Sequence, residues 1–214
     1  MTRVEPRRLV AALVLLNLGV LVYCLCVLTT TGQTVDQGLM VSAESLSGDL
    51  AEICADFVEL VAPVSAAGAV LVVCLIAWRG NRIALALRAG IMTLGPIATA
   101  WILKYSLDRP NLDGLVQHNS FPSGTLTCVT AVVCAVYLAT ARRWRIVVAI
   151  NGALLIVGTA VSVVVLKWHR PSDALGALLL VGCYALAVSA FPIRISSPRH
   201  STLADPGNER LAQV

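Results

Sequence analysis

Lys167-Trp168-His169-Arg170-Pro171-Ser172-Asp173 stands between two long apolar runs and carries two cations, an imidazole and a carboxylate. Residues on both sides are mostly Val, Leu, Ala, Ile and Gly, so charges at this place call for a ligand or a reaction. Pro171 suits the first turn of a helix, where its missing N–H costs nothing. His169 then lies just ahead of that helix, and Asp173 one turn inside it can reach back to one ring nitrogen. Such a carboxylate fixes the tautomer and leaves the other nitrogen to act as base or nucleophile. A plainer reading of the same residues is a solvated loop with an acid favoured by the helix dipole. The rest of the chain decides between them.

Two further segments bring groups suited to an oxyanion. Lys104 offers a point charge and Arg109 a two-pronged donor, and phosphate oxygens suit both. Pro122-Ser123-Gly124 opens an apolar run. The free N–H groups at such a helix start, with the Ser123 hydroxyl, make an anion site, and Gly124 lets the ligand come close. Lys167 and Arg170 add positive charge beside His169. Together these groups read as phosphoryl transfer through a phosphohistidine, with neither metal nor cofactor required.

The elements that must position them are helices in a membrane. Of 214 residues, 57% are hydrophobic and only 13% charged, where a soluble domain carries about a quarter charged residues. Apolar runs predict six spans, near 9–28, 58–78, 83–103, 122–141, 146–166 and 174–191. The expected fold class is therefore an all-α six-transmembrane-helix bundle. In the polar stretch 31–57, Leu39, Ala43, Leu46, Leu50, Ile53 and Phe57 recur at steps of three and four. They predict an additional amphipathic helix in the first outer loop, packed on the bundle by that face. Six of the seven cysteines fall inside apolar runs and no Cys/His spacing makes a zinc site, so they read as small core residues.

Six spans put both termini on one side. Twelve of the 16 Lys and Arg residues lie in the N-terminus, the basic turns and nearby helix ends, and the C-terminal tail, which the positive-inside rule makes cytoplasmic. Only Lys104, Arg109, Lys167 and Arg170 remain outside, and four outer cations gathered near His169 fit an anionic ligand. The expected organisation is a cytoplasmic N-terminus at 1–8, a membrane domain at 9–193 and a cytoplasmic, disordered tail at 194–214. Nothing points to nucleic acid as a partner, and the oligomeric state is left open.

Lys104-Tyr-Ser-Leu-Asp-Arg109-Pro110, Ser120-Phe121-Pro122-Ser123-Gly124 and His169-Arg-Pro-Ser-Asp173 resemble the three signature motifs of the type 2 phosphatidic acid phosphatase family. That family includes undecaprenyl-diphosphate phosphatases and, more distantly, vanadium haloperoxidases. The resemblance covers roughly residues 9–191 and implies a lipid phosphatase. The expected substrate is a polyprenyl or glycerolipid phosphate or diphosphate, a phosphorylated membrane lipid, and the expected place is the outer face of a bacterial cytoplasmic membrane. It also implies His169 as nucleophile, Asp173 as its orienting acid, and Lys104, Arg109, Ser123 and Gly124 as phosphate ligands.

Three positions depart from the motifs. Arg109-Pro110 comes two residues earlier than the usual spacing from Lys104, so Arg109 matches either the phosphate-binding arginine or an earlier, non-essential one. Thr125 stands where the second motif carries the His that protonates the leaving group. Val163 stands where the third motif opens with Ser-Arg. His118 is then a substitute acid, and Lys167 and Arg170 substitute cations. A missing general acid costs about 10²- to 10⁴-fold, less for a good leaving group, so a diphosphate is the expected preference. The alternative is an impaired relative that binds, scaffolds or transports a phosphorylated lipid.

Overall fold

The protein is described from a computed structural model over residues 4–45, 48–78, 83–112 and 119–191. The basic turn at 79–82 and the tail from 194 onward, expected to be cytoplasmic, lie outside the described residues. Seven α-helices follow in order among the described residues: α1 Pro6–Val22, α2 Thr30–Ser45, α3 Leu50–Trp78, α4 Ile83–Ser106, α5 Gly124–Ala139, α6 Arg145–Val165 and α7 Pro171–Ser189. No strand occurs among the described residues. A π-helical turn, Tyr23–Val27, prolongs α1, and a 3₁₀ turn, Arg142–Trp144, joins α5 to α6.

The chain's chemistry is arranged inside out relative to a water-soluble bundle. Ile146, Ile150, Leu154, Val157 and Val161 of α6 recur at steps of three and four and are all exposed, as are Leu87, Ile91 and Leu94 of α4. Buried positions instead hold small and hydroxylated residues, among them Thr93, Thr127, Thr159 and Ser162. Such groups let backbones approach and satisfy each other where no water is present. Thr93, Thr127 and Thr159 each donate back to a carbonyl four residues earlier. Three stretches among the described residues, Pro6–Val27, Arg142–Val165 and Pro171–Ser189, are long and apolar enough to cross a bilayer. This is a membrane protein.

The short helix α5 is the axis of the bundle, packing against α3, α4, α6 and α7. Its sixteen residues include seven that are buried. Around it, α1 lies along α7. Their ends are pinned where the Glu5 N–H donates to the Ala190 carbonyl at 3.0 Å and Arg8 Nη1 to the Ser189 carbonyl at 3.0 Å. That pairing closes the bundle by joining its first and last helices.

The stretch 31–57 corrects the expectation. It divides between α2 and the start of α3, and Leu39, Leu50 and Ile53 of the expected packing face are exposed. The face that α2 buries carries Gln33, Asp36 and Met40. Polar side chains with backbone partners to satisfy, rather than apolar area, orient this helix.

Close helix contacts rest on glycine. A Cβ added to Gly176 of α7 would come within 2.4 Å of the Phe121 ring, whereas one at Gly90 of α4 would meet nothing within 4 Å. Overpacking of this kind costs about 1–3 kcal/mol, while glycine to alanine in an open helical site gains up to about 1 kcal/mol. Gly176→Ala should therefore lower the unfolding midpoint in detergent and Gly90→Ala should leave it level or raise it. Equal midpoints for the two variants would contradict this packing.

Candidate active site

Four segments meet at one end of the bundle: the end of α4, the approach to α5, the α6–α7 connection and the start of α7. The α6 end is closed by a turn in which Lys167 N–H donates to the Val164 carbonyl and Trp168 N–H to that of Val163, both at 3.0 Å. Lys167 takes a left-handed conformation, φ 56°, at the position where glycine usually stands in such a helix ending. The Val163 carbonyl also accepts the His169 N–H at 3.0 Å, so the end of α6 sets the height of the imidazole. Arg170 then caps α7 and Pro171 opens it.

Asp173 is the hub. It is fully buried, and its Oδ1 accepts Arg109 Nη2 at 2.6 Å while its Oδ2 accepts the Ser120 hydroxyl at 2.6 Å. Oδ2 also accepts the Arg170 backbone N–H at 3.0 Å, the reciprocal bond of a helix-capping box. His169 Nδ1 lies 3.6 Å from the same oxygen, an ion-pair separation beyond hydrogen-bonding distance. That nitrogen is buried with no hydrogen-bond partner among the described residues. The Asp173 carbonyl in turn accepts the Ser123 N–H at 2.9 Å, tying the start of α5 to the start of α7.

Asn119 joins α4 to this hub. Its amide donates to the carbonyls of Lys104 at 3.3 Å and Leu107 at 2.9 Å, and its Oδ1 accepts the Phe121 N–H at 3.0 Å. Two of the carbonyls left open at the end of α4 are thereby satisfied, and Ser120, the next residue, is aimed at Asp173. The pocket that results has a volume of about 740 Å³ and is lined by Lys104, Tyr105, Leu107, Asp108, Arg109, Asn119, Ser120, Trp168 and His169.

Of the residues singled out from sequence, Lys104, Arg109 and His169 line this pocket and Asp173 backs it. The others stand elsewhere. Ser123 is fully buried, and its hydroxyl accepts the Leu126 N–H of its own helix at 3.4 Å. Pro122 precedes the helix instead of opening it, because Ser123 is the cap. Gly124 and Thr125 are half-buried in the first turn of α5. Lys167 is exposed and Arg170 is buried, and neither is a wall of the pocket. Val163 is fully buried in α6, an apolar contact where an arginine was sought. His118 lies outside the described residues.

Arg109 changes most in meaning. Its terminal nitrogens are engaged by Asp173 and by Ser120, the latter at 3.3 Å, and its side chain is 3% exposed. Only Nε is buried with no hydrogen-bond partner among the described residues. A second buried carboxylate was not foreseen. Asp36 of α2 accepts both the N–H of Ser172, at 2.9 Å, and its hydroxyl, at the N-terminus of α7. Burial pushes the Asp36 carboxyl above its ordinary value, against the opposing pull of the Ser172 hydrogen bonds. Nothing in sequence distinguished it from the other acids of 31–57.

The family model of the PAP2 superfamily matches residues 85–195, over half of the chain and all the segments that build the pocket. The chain belongs to the PAP2 superfamily. Members of this superfamily are generally phosphatases. No curated protein and no solved structure matches the chain. The PAP2 match leaves α1, α2 and α3 outside it, so Asp36 lies beyond the matched residues and its partner Ser172 within them.

Removing one partner from a buried ion pair strands the other charge, at about 3–5 kcal/mol, whereas a lost neutral hydrogen-bond donor costs about 1–3 kcal/mol. Arg109→Ala should thus lower stability clearly more than Ser120→Ala, read by chemical or thermal unfolding in detergent. The reverse order would break the account of the hub. Asp36 gives a pH signature. Its raised folded value means it favours folding fully below the ordinary carboxylate pKa of about 3.9. That contribution is lost as pH rises through the raised value. The stability of Asp36→Asn relative to wild type should therefore increase across that interval and be flat above it; a flat difference throughout would show no shift.

Proposed function

We propose that this protein is an integral-membrane lipid phosphatase that hydrolyses a phosphate ester or diphosphate through a phosphohistidine. The supporting observation is one pocket that combines Lys104 and Arg109 with an imidazole backed by a buried carboxylate. Cations attract the phosphoryl oxygens. Asp173 lies 3.6 Å from Nδ1 on one side of the His169 ring, and the nitrogen away from it, Nε2, serves as nucleophile.

In the reaction, the Nε2 lone pair forms a bond to phosphorus while the bond from phosphorus to the leaving oxygen breaks. The leaving group departs with its electron pair. Water then attacks the phosphohistidine, the P–N bond breaks, and inorganic phosphate and free imidazole result. Lys104 and the Arg109 Nε stabilise charge on the transferring group, an effect strongest where water is excluded.

The membrane reading follows the same logic. The six helices α1, α3, α4, α5, α6 and α7 cross the bilayer, with α2 on the outer side. Arg8, Arg142, Arg143 and Arg145 fall at the end away from the pocket, which the positive-inside rule makes cytoplasmic. The pocket then opens at the outer face of the membrane, and residues 9–193 form one domain.

Thr125 supports a second reading, a relative that binds a phosphorylated lipid without turning it over. No imidazole reaches the pocket from α5 among the described residues. The lack of a general acid typically costs about 10²- to 10⁴-fold, and falls least on a substrate whose leaving group is itself a phosphate. Phosphate release from polyprenyl diphosphate, polyprenyl phosphate and phosphatidic acid in detergent separates the two. Turnover should be fastest on the diphosphate and fall by about 10³-fold or more in His169→Ala, as for loss of a nucleophile elsewhere. Activity that survives His169→Ala would remove the phosphohistidine. Headgroup binding without turnover would favour the second reading.

A further inference from the structure

We propose that α2 is the positioning element of this site, with Gln33 and Asp36 as a pair that sets Arg109 and His169 in register. The inference rests on the phosphatase reading above and adds residues that lie outside the part of the chain matched to the superfamily.

Gln33 and Asp36 are 1% and 4% exposed and stand three residues apart, so they share one face of α2. Each is bonded to the backbone of a segment that carries a pocket residue. Gln33 Nε2 donates to the Pro110 carbonyl at 2.7 Å, and its Oε1 accepts the Leu112 N–H at 3.4 Å. Those bonds grip the chain directly after Arg109. Gln33 Nε2 also donates to the Val27 carbonyl at 2.6 Å, anchoring the grip to the turn before α2. Asp36 takes the N–H and hydroxyl of Ser172, one residue before Asp173 and three after His169.

A third side chain acts in the same sense from the same part of the chain. The Tyr23 hydroxyl donates to the Asp108 carbonyl at 2.6 Å. The backbone on both sides of Arg109 is therefore held by side chains from the first forty residues. Burying a carboxylate is costly even when it is paired, and an apolar residue would pack α2 without that cost. Asp36 is stationed where a helix N-terminus offers a donor aligned with its dipole. That choice fixes the rotation and height of α7, and with it the reach from Asp173 to His169. Misplacing a catalytic group by about 1 Å can cost 10²-fold.

The two residues grip different segments, so their losses should separate kinetically. Asp36→Ala loosens the start of α7 and should lower kcat by about 10²-fold with KM within about 3-fold of wild type. Asp36→Asn keeps an oxygen for the Ser172 N–H and should return kcat to within about 10-fold of wild type. Gln33→Ala loosens the Arg109 segment and should raise KM and weaken inorganic vanadate binding by about 10-fold, with the smaller effect on kcat. All variants are assayed below the lowest unfolding midpoint.

Wild-type kcat in folded Asp36→Ala overturns the proposal. So does a uniform loss in all three variants that merely follows the folded fraction. If Asp36→Ala does not fold, Asp36→Asn and Gln33→Ala still decide through the split between kcat and KM. A wild-type protein that releases phosphate from no lipid defeats the phosphatase reading alone. In that case unchanged vanadate affinity in Gln33→Ala overturns the positioning role, and a weakened affinity supports it.

Discussion

A carboxylate with no exposure to solvent must find its compensation inside the protein, and Asp173 finds it on four sides. Arg109, Ser120, the Arg170 N–H and the His169 imidazole all gather around two oxygens. These groups arrive from the end of α4, the approach to α5 and the start of α7. An isolated buried charge would cost many kcal/mol or neutralise, so the convergence of these segments and the burial of Asp173 are one constraint. Around it the other bonds fall into place. Asn119 fastens α4 to Ser120, and the Asp173 carbonyl fastens α5 to α7.

The long elements were legible in the chain because lipid imposes a simple rule on length and polarity. Six apolar runs became α1 and α3 to α7, although α3 starts eight residues before the expected run, at Leu50. The Pro171 helix start followed from local geometry alone, whereas Asp173 stops 3.6 Å short of His169 Nδ1. What escaped was set by partners far apart in sequence. Leu39 lies on an expected apolar stripe, yet the burial of Gln33 and Asp36 turned α2 the other way, and Leu50 and Ile53 of the same stripe fell in α3. The same applies to Ser123, whose hydroxyl is consumed by its own helix cap, and to Arg109, whose fork meets Asp173 across 64 positions. No periodicity encodes a hydrogen bond over such distances.

The departures from the family motifs acquire a physical context in the bundle. Val163 fills a fully buried apolar position, so an arginine there would need both space and a partner. Its backbone nevertheless still serves the site, since its carbonyl takes the N–H groups of Trp168 and His169. A substitution can thus remove a side-chain role and leave the geometric role intact. Thr125, half-buried in the first turn of α5, removes a titratable group from the same end of the bundle without disturbing the cap at Ser123.

Arg109 is where these threads meet. A guanidinium has a fixed fork, and bidentate pairing with one anion uses donors that another anion would want. With Nη1 and Nη2 turned to Ser120 and Asp173, the Arg109 charge is balanced within the protein, and Lys104 is the pocket cation free of that obligation. On the function proposed above, a phosphate in this pocket would have to compete with Asp173 for the Arg109 Nη2. The two partners face different oxygens, Arg109 Nη2 on Oδ1 and His169 Nδ1 3.6 Å from Oδ2. The pair at 2.6 Å and the gap at 3.6 Å are opposite faces of the same bond inventory. On that same proposal, substrate charge would act on the Oδ1 side alone and leave the Oδ2 bonds from Ser120 and the Arg170 N–H in place.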